Sequence, residues 1–477
     1  MDTKETIVKE IWKEVFGAEH LDLENDFFDL GGDSILAVQL SGKLRKKGYR
    51  VKFTDIFDDS TLGGIIRAVS PVTGTEPDGC ALSEEQRKTY PATNQQKWFY
   101  QNVPCGRNDW CEYVFLKKKE GCDFSFPEAA KQLLEKGLLA QFREKITEEG
   151  LFFERQSKKP ELIHVSGESL TEETLRKVCE EQISPGDGRT CAILYDDAGG
   201  MLLVVHHLFC DVISMQNLLG ALDQPDAIRS DSDTDYACYA WEQKEREGDA
   251  EPFDLVPEDP TFESKTNVVR HPLEAFSSDR LTKLAKAENV SVESLLLKAF
   301  KKPAEKLLEH PVMERERIGR DRSGRWNDAV GWFSFSENLD FSEIPEEDSE
   351  GMRAIETRLN EERIDSSEQI LRRPKCELVW NYIGRTDRSL QFEHFSVTDF
   401  GQYSGVHTGR FAPVYFGVYL EEKHPVCTIS YDRNDYTDEQ MRSLQERFSE
   451  ELTRIAEHLE NQKTEELNTI YEILGDI

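Results

Sequence analysis

The sequence has a small share of basic charge, no paired cysteine motif and no long apolar run. Its 59 Lys and Arg face 92 Asp and Glu, and the net charge of -33 disfavours nucleic acid and membrane partners because it repels phosphate backbones and anionic lipids. Ten cysteines occur without a CxxC pair, so zinc and redox spacings are absent and reduced thiols are expected. The start carries no basic, apolar leader, and we expect a cytoplasmic protein.

The 477 residues are about three times the usual length of one domain, so at least two cores are expected. Residues 1–70 show apolar positions at helical spacing and predict a small bundle of three or four short helices. Residues 71–82, rich in Pro, Gly, Thr and acids, predict a flexible linker. From residue 83, strand-like apolar runs mix with amphipathic helices, which indicates an α/β domain. The acidic segment 221–265 is expected to connect two halves of that domain.

A serine follows two glycines at the start of a predicted helix. Gly31 and Gly32 permit tight turns before Ser34, and a helix N-terminus favours a negatively charged phosphate. An exposed serine in this position could accept a phosphoester. Taken alone, a serine after two glycines is more often only a helix N-cap, so the residues by themselves leave both interpretations open.

The wider stretch DFFDLGGDSILAVQL resembles the carrier domains of nonribosomal peptide synthetases. The resemblance implies that residues 1–70 form a small all-α four-helix carrier bundle, with 4'-phosphopantetheine covalently attached to Ser34 and an aminoacyl or peptidyl thioester on its thiol. It also implies a phosphopantetheinyl transferase, an upstream adenylation domain and a downstream synthetase module as partners, with a monomer as the default. Asp33 is typical of the carriers in this family that feed an epimerization domain.

An apolar run at residues 201–205 ends in two adjacent histidines. Successive strand residues point to opposite faces, so only one of His206 and His207 is expected to face a cleft. One packed ring and one surface ring is the alternative without any catalysis. Cys210 lies close by and could be a thiol nucleophile, although a free cysteine is more often a small buried apolar residue.

The segment HHLFCDVIS resembles the HHxxxDxxS signature of condensation and epimerization domains, which share a two-lobed α/β chloramphenicol-acetyltransferase-like fold. The resemblance implies lobes at residues 83–255 and 256–477 that meet at His207, the motif's catalytic histidine. It gives His206 a supporting place and makes Asp211 largely structural, tied to an arginine. Four more segments favour the epimerization branch. They are YPATNQQKWFY at 90–100, SVESLLLKAF at 291–300, AVGWFSF at 329–335 and VWNYIGRTD at 379–387.

The epimerization branch carries a second acid/base group, the first glutamate of a motif that ERIGRD matches best. The match assigns this role to Glu316. Glu314 remains the alternative because the spacing to the next motif is short, and a solvated charged strand is a further possibility. Asn381 and Tyr382 could position a thioester or donate to its developing oxyanion, or simply pack.

Three hypotheses about function therefore stay open. The first is epimerization of the residue held on Ser34, which needs a histidine and a carboxylate on opposite sides of the α-carbon. The second is a catalytically silent docking platform, which the departures Val212 and Met215 (where the family has Gly and Trp) and a missing Gly-rich segment allow. The third is amide-bond condensation. Glu316 facing His207 across one cavity would favour the first, a cavity filled by side chains the second, and a second open tunnel the third.

Overall fold

The computed structural model of the protein describes most of the chain. The described residues are 4–17, 20–27, 30, 32, 34–51, 56, 59–71, 82–103, 105–167, 169–224, 235–247, 256–259, 265–317, 319–320, 326–361, 370–372, 375–385, 392–403, 412–421 and 423–475. Most of the expected linker and the expected division near residue 255 lie outside them. None of the helices in these ranges combines the length and apolarity needed to cross a lipid bilayer.

The helices and strands follow one another in chain order. The helices are α1 Lys4–Phe16, α2 Ser34–Lys46, α3 Leu62–Ala68, α4 Glu84–Lys88, α5 Asn94–Asn102, α6 Phe126–Glu135, α7 Glu172–Gln182, α8 Val212–Asp223, α9 Asp235–Glu247, α10 Ser278–Ala287, α11 Val292–Leu307, α12 Asp348–Asn360 and α13 Asp438–Gly475. The strands are β1 Tyr49–Arg50, β2 Ser70–Pro71, β3 Thr89–Pro91, β4 Cys111–Lys118, β5 Phe142–Thr147, β6 Gly150–Arg155, β7 Leu162–Val165, β8 Cys191–Asp196, β9 Gly200–His206, β10 Thr266–Pro272, β11 Val312–Arg317, β12 Phe335–Asp340, β13 Leu378–Arg385, β14 Phe395–Tyr403, β15 Val414–Leu420 and β16 Pro425–Asp432.

The first 71 residues contain the helices α1, α2 and α3 around a core of their own. Helix α1 buries one apolar stripe at helical spacing, as an amphipathic helix must. Trp12 from that stripe lies edge-on to Phe27 in the loop before α2, with 6.1 Å between ring centroids. Ile56 is helical and buried, while its chain neighbours lie outside the described residues.

A five-stranded sheet, in the order β14-β4-β9-β8-β7, forms the centre of the next region. Its strand β9 is buried along its whole length because both faces of the sheet are covered, which explains its unbroken apolar sequence. Strand β4 pairs with β9 antiparallel, so Glu112 lies opposite Val205 and Cys111 opposite His206. This register brings an acidic residue close to the end of β9.

A six-stranded mixed sheet, in the order β10-β16-β15-β13-β11-β12, forms the centre of the last region. Helices α11 and α13 pack together against it, and Phe300 packs within that core against the stacked rings of Trp380 and Phe416. Strand β11 pairs with β13 in parallel, and β13 pairs with β15 in parallel. Side chains from these three neighbouring strands are therefore available to one face of the sheet.

Two stretches of the second half join the first half. Strand β14 pairs with β4 and so completes the five-stranded sheet. Residues 326–335 add tryptophan and phenylalanine side chains to the core beneath that sheet. The acidic connection at 221–265 also differs from a plain linker, because α9 lies within it and buries Tyr236 and Tyr239 in the same core. Segments from the second half of the domain thus complete the sheet and the core of the first half.

Candidate active site

His206 is the last residue of β9 and is fully buried. Its Nε2–H donates to the carbonyl of Arg107 at 2.7 Å, and its Nδ1 accepts from the amide of Leu208 at 3.2 Å. Burial lowers the pKa of His206 to about 3, so the ring stays neutral at neutral pH. His206 therefore shapes the turn after β9 with both ring nitrogens engaged.

His207 begins a 3-10 turn and does not continue the strand, because the chain turns at this point. Its Nδ1 lies 2.9 Å from the carbonyl of Cys210 and 3.1 Å from Oε1 of Glu112. Both partners can only accept, so Nδ1 carries the proton and Nε2 is left for the cavity. Burial alone would lower the pKa of His207, but Glu112, Glu316 and the Cys210 carbonyl together raise it above its usual value.

Glu316 lies on β11, the strand of the last sheet that approaches His207. The Tyr415 hydroxyl donates to Oε2 of Glu316 at 2.9 Å, and the Asn381 amide donates to the Tyr415 oxygen at 2.5 Å. Burial raises the pKa of Glu316 to about 7, although Tyr415 and His207 pull it down. Near neutral pH this carboxyl can therefore either take up or release a proton.

His207 and Glu316 line one cavity that both halves of the domain help to form. The other lining residues are Gln95, Trp98, Trp110, Trp332, Ser334, Phe335, Ser336, Ile370 and Gln402. The cavity is narrow, with room for roughly two water molecules. The Trp332 ring lies against the His207 ring, with 4.6 Å between their centroids. Glu314 projects from the same side of β11 as Glu316 but does not line this cavity.

Asp211 caps α8 and holds a second segment in place. Its carboxylate accepts from the Ser214 amide at 2.8 Å and from Arg320 at 2.8 Å. It also accepts from the backbone amides of Phe333 at 3.1 Å and Ser334 at 3.3 Å. Burial works to raise the pKa of Asp211, but Arg320 and the hydrogen bonds bring it below its usual value. Asp211 thus ties α8 to the strip of chain that carries the cavity-lining Trp332.

The remaining predicted residues lie away from the cavity. Met215 packs in the core beneath the five-stranded sheet, and neither it nor Val212 is among the cavity-lining residues. Tyr382 packs against the core of the last sheet. Asn381 donates to Tyr415, which in turn donates to the cavity-lining Glu316. The Cys210 thiol is fully buried, and burial raises its pKa well above the usual range, which makes a nucleophilic thiolate unfavourable.

Two residues that contact His207 and Glu316 escaped the sequence reasoning. Glu112 is the single acidic residue in the apolar run at 111–116, and a lone charge in a buried strand is a signal that could have singled it out. Tyr415 lies in an aromatic-rich strand, where nothing in the local pattern distinguishes it from a packing residue.

Ser34 is the first residue of α2, a helix of 13 residues; its side chain, Gly31 and Asp33 lie outside the described part of the structure. A Cβ atom on Gly32 would lie 2.3 Å from the Phe27 ring, so only glycine fits this approach to the helix. The close approach of Gly32 to Phe27 and the helix N-terminus at Ser34 fit attachment of a phosphate-linked group.

Comparison with known proteins identifies the first region. Residues 6–69 match the family model described as the phosphopantetheine attachment site. The match implies covalently attached 4'-phosphopantetheine and confirms the carrier prediction. Surfactin synthase subunit 1 of Bacillus subtilis (strain 168) is 25% identical over 231 residues, which cover 45% of this chain and 6% of that protein. Tyrocidine synthase 1 of Brevibacillus parabrevis is 22% identical over 586 residues, which cover 99% of this chain and 51% of that protein. The chain spans only part of these relatives.

Solved structures resemble the larger region. The epimerization domain from the third module of tyrocidine synthetase B matches with a TM-score of 0.60 and 17% identity, over 79% of this chain and 97% of that chain. The condensation domain from the Monacolin K polyketide synthase MokA matches with a TM-score of 0.57 and 12% identity, over 77% and 97%. At these identities the likeness establishes the fold, a two-lobed α/β condensation fold, and confirms the predicted fold class.

Proposed function

We propose that the larger domain inverts the α-carbon of the acyl group held on Ser34. Residues 6–69 are a phosphopantetheine carrier, and they are joined to a domain with the condensation fold, as in nonribosomal peptide synthetases. The observation that carries the proposal is the placement of His207 and Glu316 on one cavity, each from a different half. Inversion removes a proton from one face of a carbon and returns one to the other. Two opposed acid/base groups are what this reaction needs.

The residues around the cavity divide the work of proton transfer. When bound, phosphopantetheine supplies a thioester linkage that acidifies the α-proton of the acyl group. Nε2 of His207 and the carboxyl of Glu316 then exchange protons with the two faces of that carbon. The Cys210 carbonyl and Glu112 fix the tautomer and orientation of His207, and Tyr415 orients Glu316. Each group serves as base in one direction and as acid in the other.

The narrowness of the cavity supports a second candidate, the catalytically silent docking platform. Aromatic side chains reduce the free space beside His207 to roughly two water molecules. An acyl group would have to displace this water and shift at least one ring, such as Trp332, which lies against His207. The two candidates differ in whether a loaded α-carbon reaches His207.

The deciding experiment uses the full chain with its carrier converted to the holo form and loaded with an L-aminoacyl phosphopantetheine in deuterated water. Epimerization predicts deuterium at the α-carbon and accumulation of the D-isomer after release. The Ser34→Ala chain, which cannot be loaded, gives the background. Absence of exchange with several acyl groups would contradict the proposal and favour the platform, and a new amide formed with an added amine would favour condensation.

Replacement of Glu112 by Gln is expected to move the pH optimum of exchange toward acid. The active form holds one proton on the His207–Glu316 pair, so the rate falls below the pH where a second proton binds and above the pH where the single proton is lost. Glu112 raises the pKa of His207, and removing its charge lowers both apparent pKa values of the pair. The pH–rate profile of exchange measures this shift. Glu112→Asp, which keeps the charge, should keep the wild-type optimum; equal profiles for Glu112→Gln and wild type would contradict the assignment.

A further inference from the structure

The cavity around His207 carries a net negative charge. Glu112 is one carboxylate, and the His207–Glu316 pair adds no net charge when it holds one proton, wherever that proton lies. These three groups then sum to one negative charge, and to two when the pair is deprotonated. No lysine or arginine is found among the described residues that line the cavity. The buried Arg320 is paired with Asp211 and leaves this balance unchanged.

Gln95 lines the same cavity, and its side chain is buried. Its side-chain amide donates to the Tyr239 hydroxyl at 3.1 Å and to the Phe333 carbonyl at 3.4 Å. Because a carbonyl only accepts, these contacts fix the orientation of the amide. Oε1 of Gln95 is then buried with no donor among the described residues, and buried acceptors are nearly always satisfied. A ligand that donates a hydrogen bond would complete it.

The aromatic walls of the cavity favour a cation of small size. Trp98, Trp110 and Trp332 all line it, and the faces of indole rings attract positive charge. The space for roughly two water molecules suits a compact ammonium group in their place. An acylated nitrogen with a peptide behind it is neutral and needs far more room.

We infer that the acyl group accepted by this cavity is an aminoacyl group with a free α-ammonium, and not an N-acylated or peptidyl group. The inference rests on the proposed function and names the substrate class of the same site. The ammonium donates to Oε1 of Gln95 and is stabilised by the net negative charge of the Glu112, His207 and Glu316 cluster. A positive charge on the neighbouring nitrogen also acidifies the α-proton, so the selected group assists its removal.

The test measures binding apart from turnover. The probes are two stable amide analogues, L-alanyl aminopantetheine and its N-acetyl form, and quenching of tryptophan fluorescence in the full chain reports their affinities. The free amine should bind at least about ten-fold more tightly, as expected for one hydrogen bond to a charged group. Equal affinity, tighter binding of the acetylated probe or binding of neither overturns the inference. Deuterium exchange of the loaded carrier distinguishes failure of the substrate class from failure of the proposed function. Exchange of an N-acetyl-aminoacyl carrier at the aminoacyl rate would overturn only the substrate class.

Two matched variants assign the ammonium site. Gln95→Met removes the acceptor at similar size and should weaken binding of the free amine about ten-fold. Gln243→Met removes an amide that donates to the same Tyr239 hydroxyl from outside the cavity, and should leave the preference for the free amine unchanged. Thermal melting of both variants separates a lost contact from a lost fold. An unchanged affinity in Gln95→Met would remove this residue from the site.

Discussion

Replacement of His207 by Ala is expected to slow inversion of the loaded acyl group by about 10²- to 10⁴-fold. The residual reaction is informative, because Glu316 still lies on the cavity and can exchange the proton on its own face of the carbon. His207→Ala should therefore retain α-deuterium exchange with only one of the two isomers. Mass spectrometry and chiral analysis of the released acid measure this exchange without inversion.

Glu316→Gln provides the complementary case and should retain exchange with only the opposite isomer. Glu314→Gln is the matched control, since Glu314 lies on the same side of β11 but does not line the cavity. It should exchange and invert at close to the wild-type rate. Loss of inversion in Glu314→Gln with an active Glu316→Gln would assign the second acid/base group to Glu314. Retention of inversion in His207→Ala would contradict the two-group mechanism itself.

Replacement of Arg320 by Met is expected to lower the free energy of unfolding of the larger domain by about 3–5 kcal/mol. It leaves the carboxylate of Asp211 buried without its cation, and breaking one side of a buried ion pair costs this much. Because Asp211 also accepts from the amides of Phe333 and Ser334, the loss should loosen the segment that places Trp332 beside His207. Urea unfolding followed by tryptophan fluorescence measures the change.

An exposed ion pair supplies the control for Arg320. Arg176 bonds Glu173 and Glu180 on the surface of α7, and Arg176→Met should leave the free energy of unfolding close to the wild-type value, because solvent screens an exposed ion pair. The double variant Asp211→Leu with Arg320→Met removes both charges and should recover part of the loss. If Arg320→Met matched Arg176→Met, the buried pair would have no special role in stability.

The carrier could be recognised from the sequence because its signals are local. The glycine turn, the serine and the helix that follows are contiguous, and the stripe of α1 repeats within four turns. The same holds for the apolar run of β9 and the histidines after it. The family resemblance also implies that Asp211 pairs with an arginine, and in the structure that arginine is Arg320, four residues after Glu316.

Other features depend on contacts between distant parts of the chain. Strand β14 returns to the first sheet across almost the whole length of the domain. This pairing does not follow from hydrophobic period alone, because it is decided by what the strand packs against.

By itself the sequence determined the carrier serine, the condensation fold and the identity of the histidine pair, since contiguous motifs and short periods encode them. The tertiary structure alone decided that Glu316 and not Glu314 reaches the cavity, that Glu112 contacts His207 and Tyr415 contacts Glu316, and that the cavity is narrow. The physical reason is that strand register and packing between residues about 100 positions apart set these distances. No local pattern of residues records them.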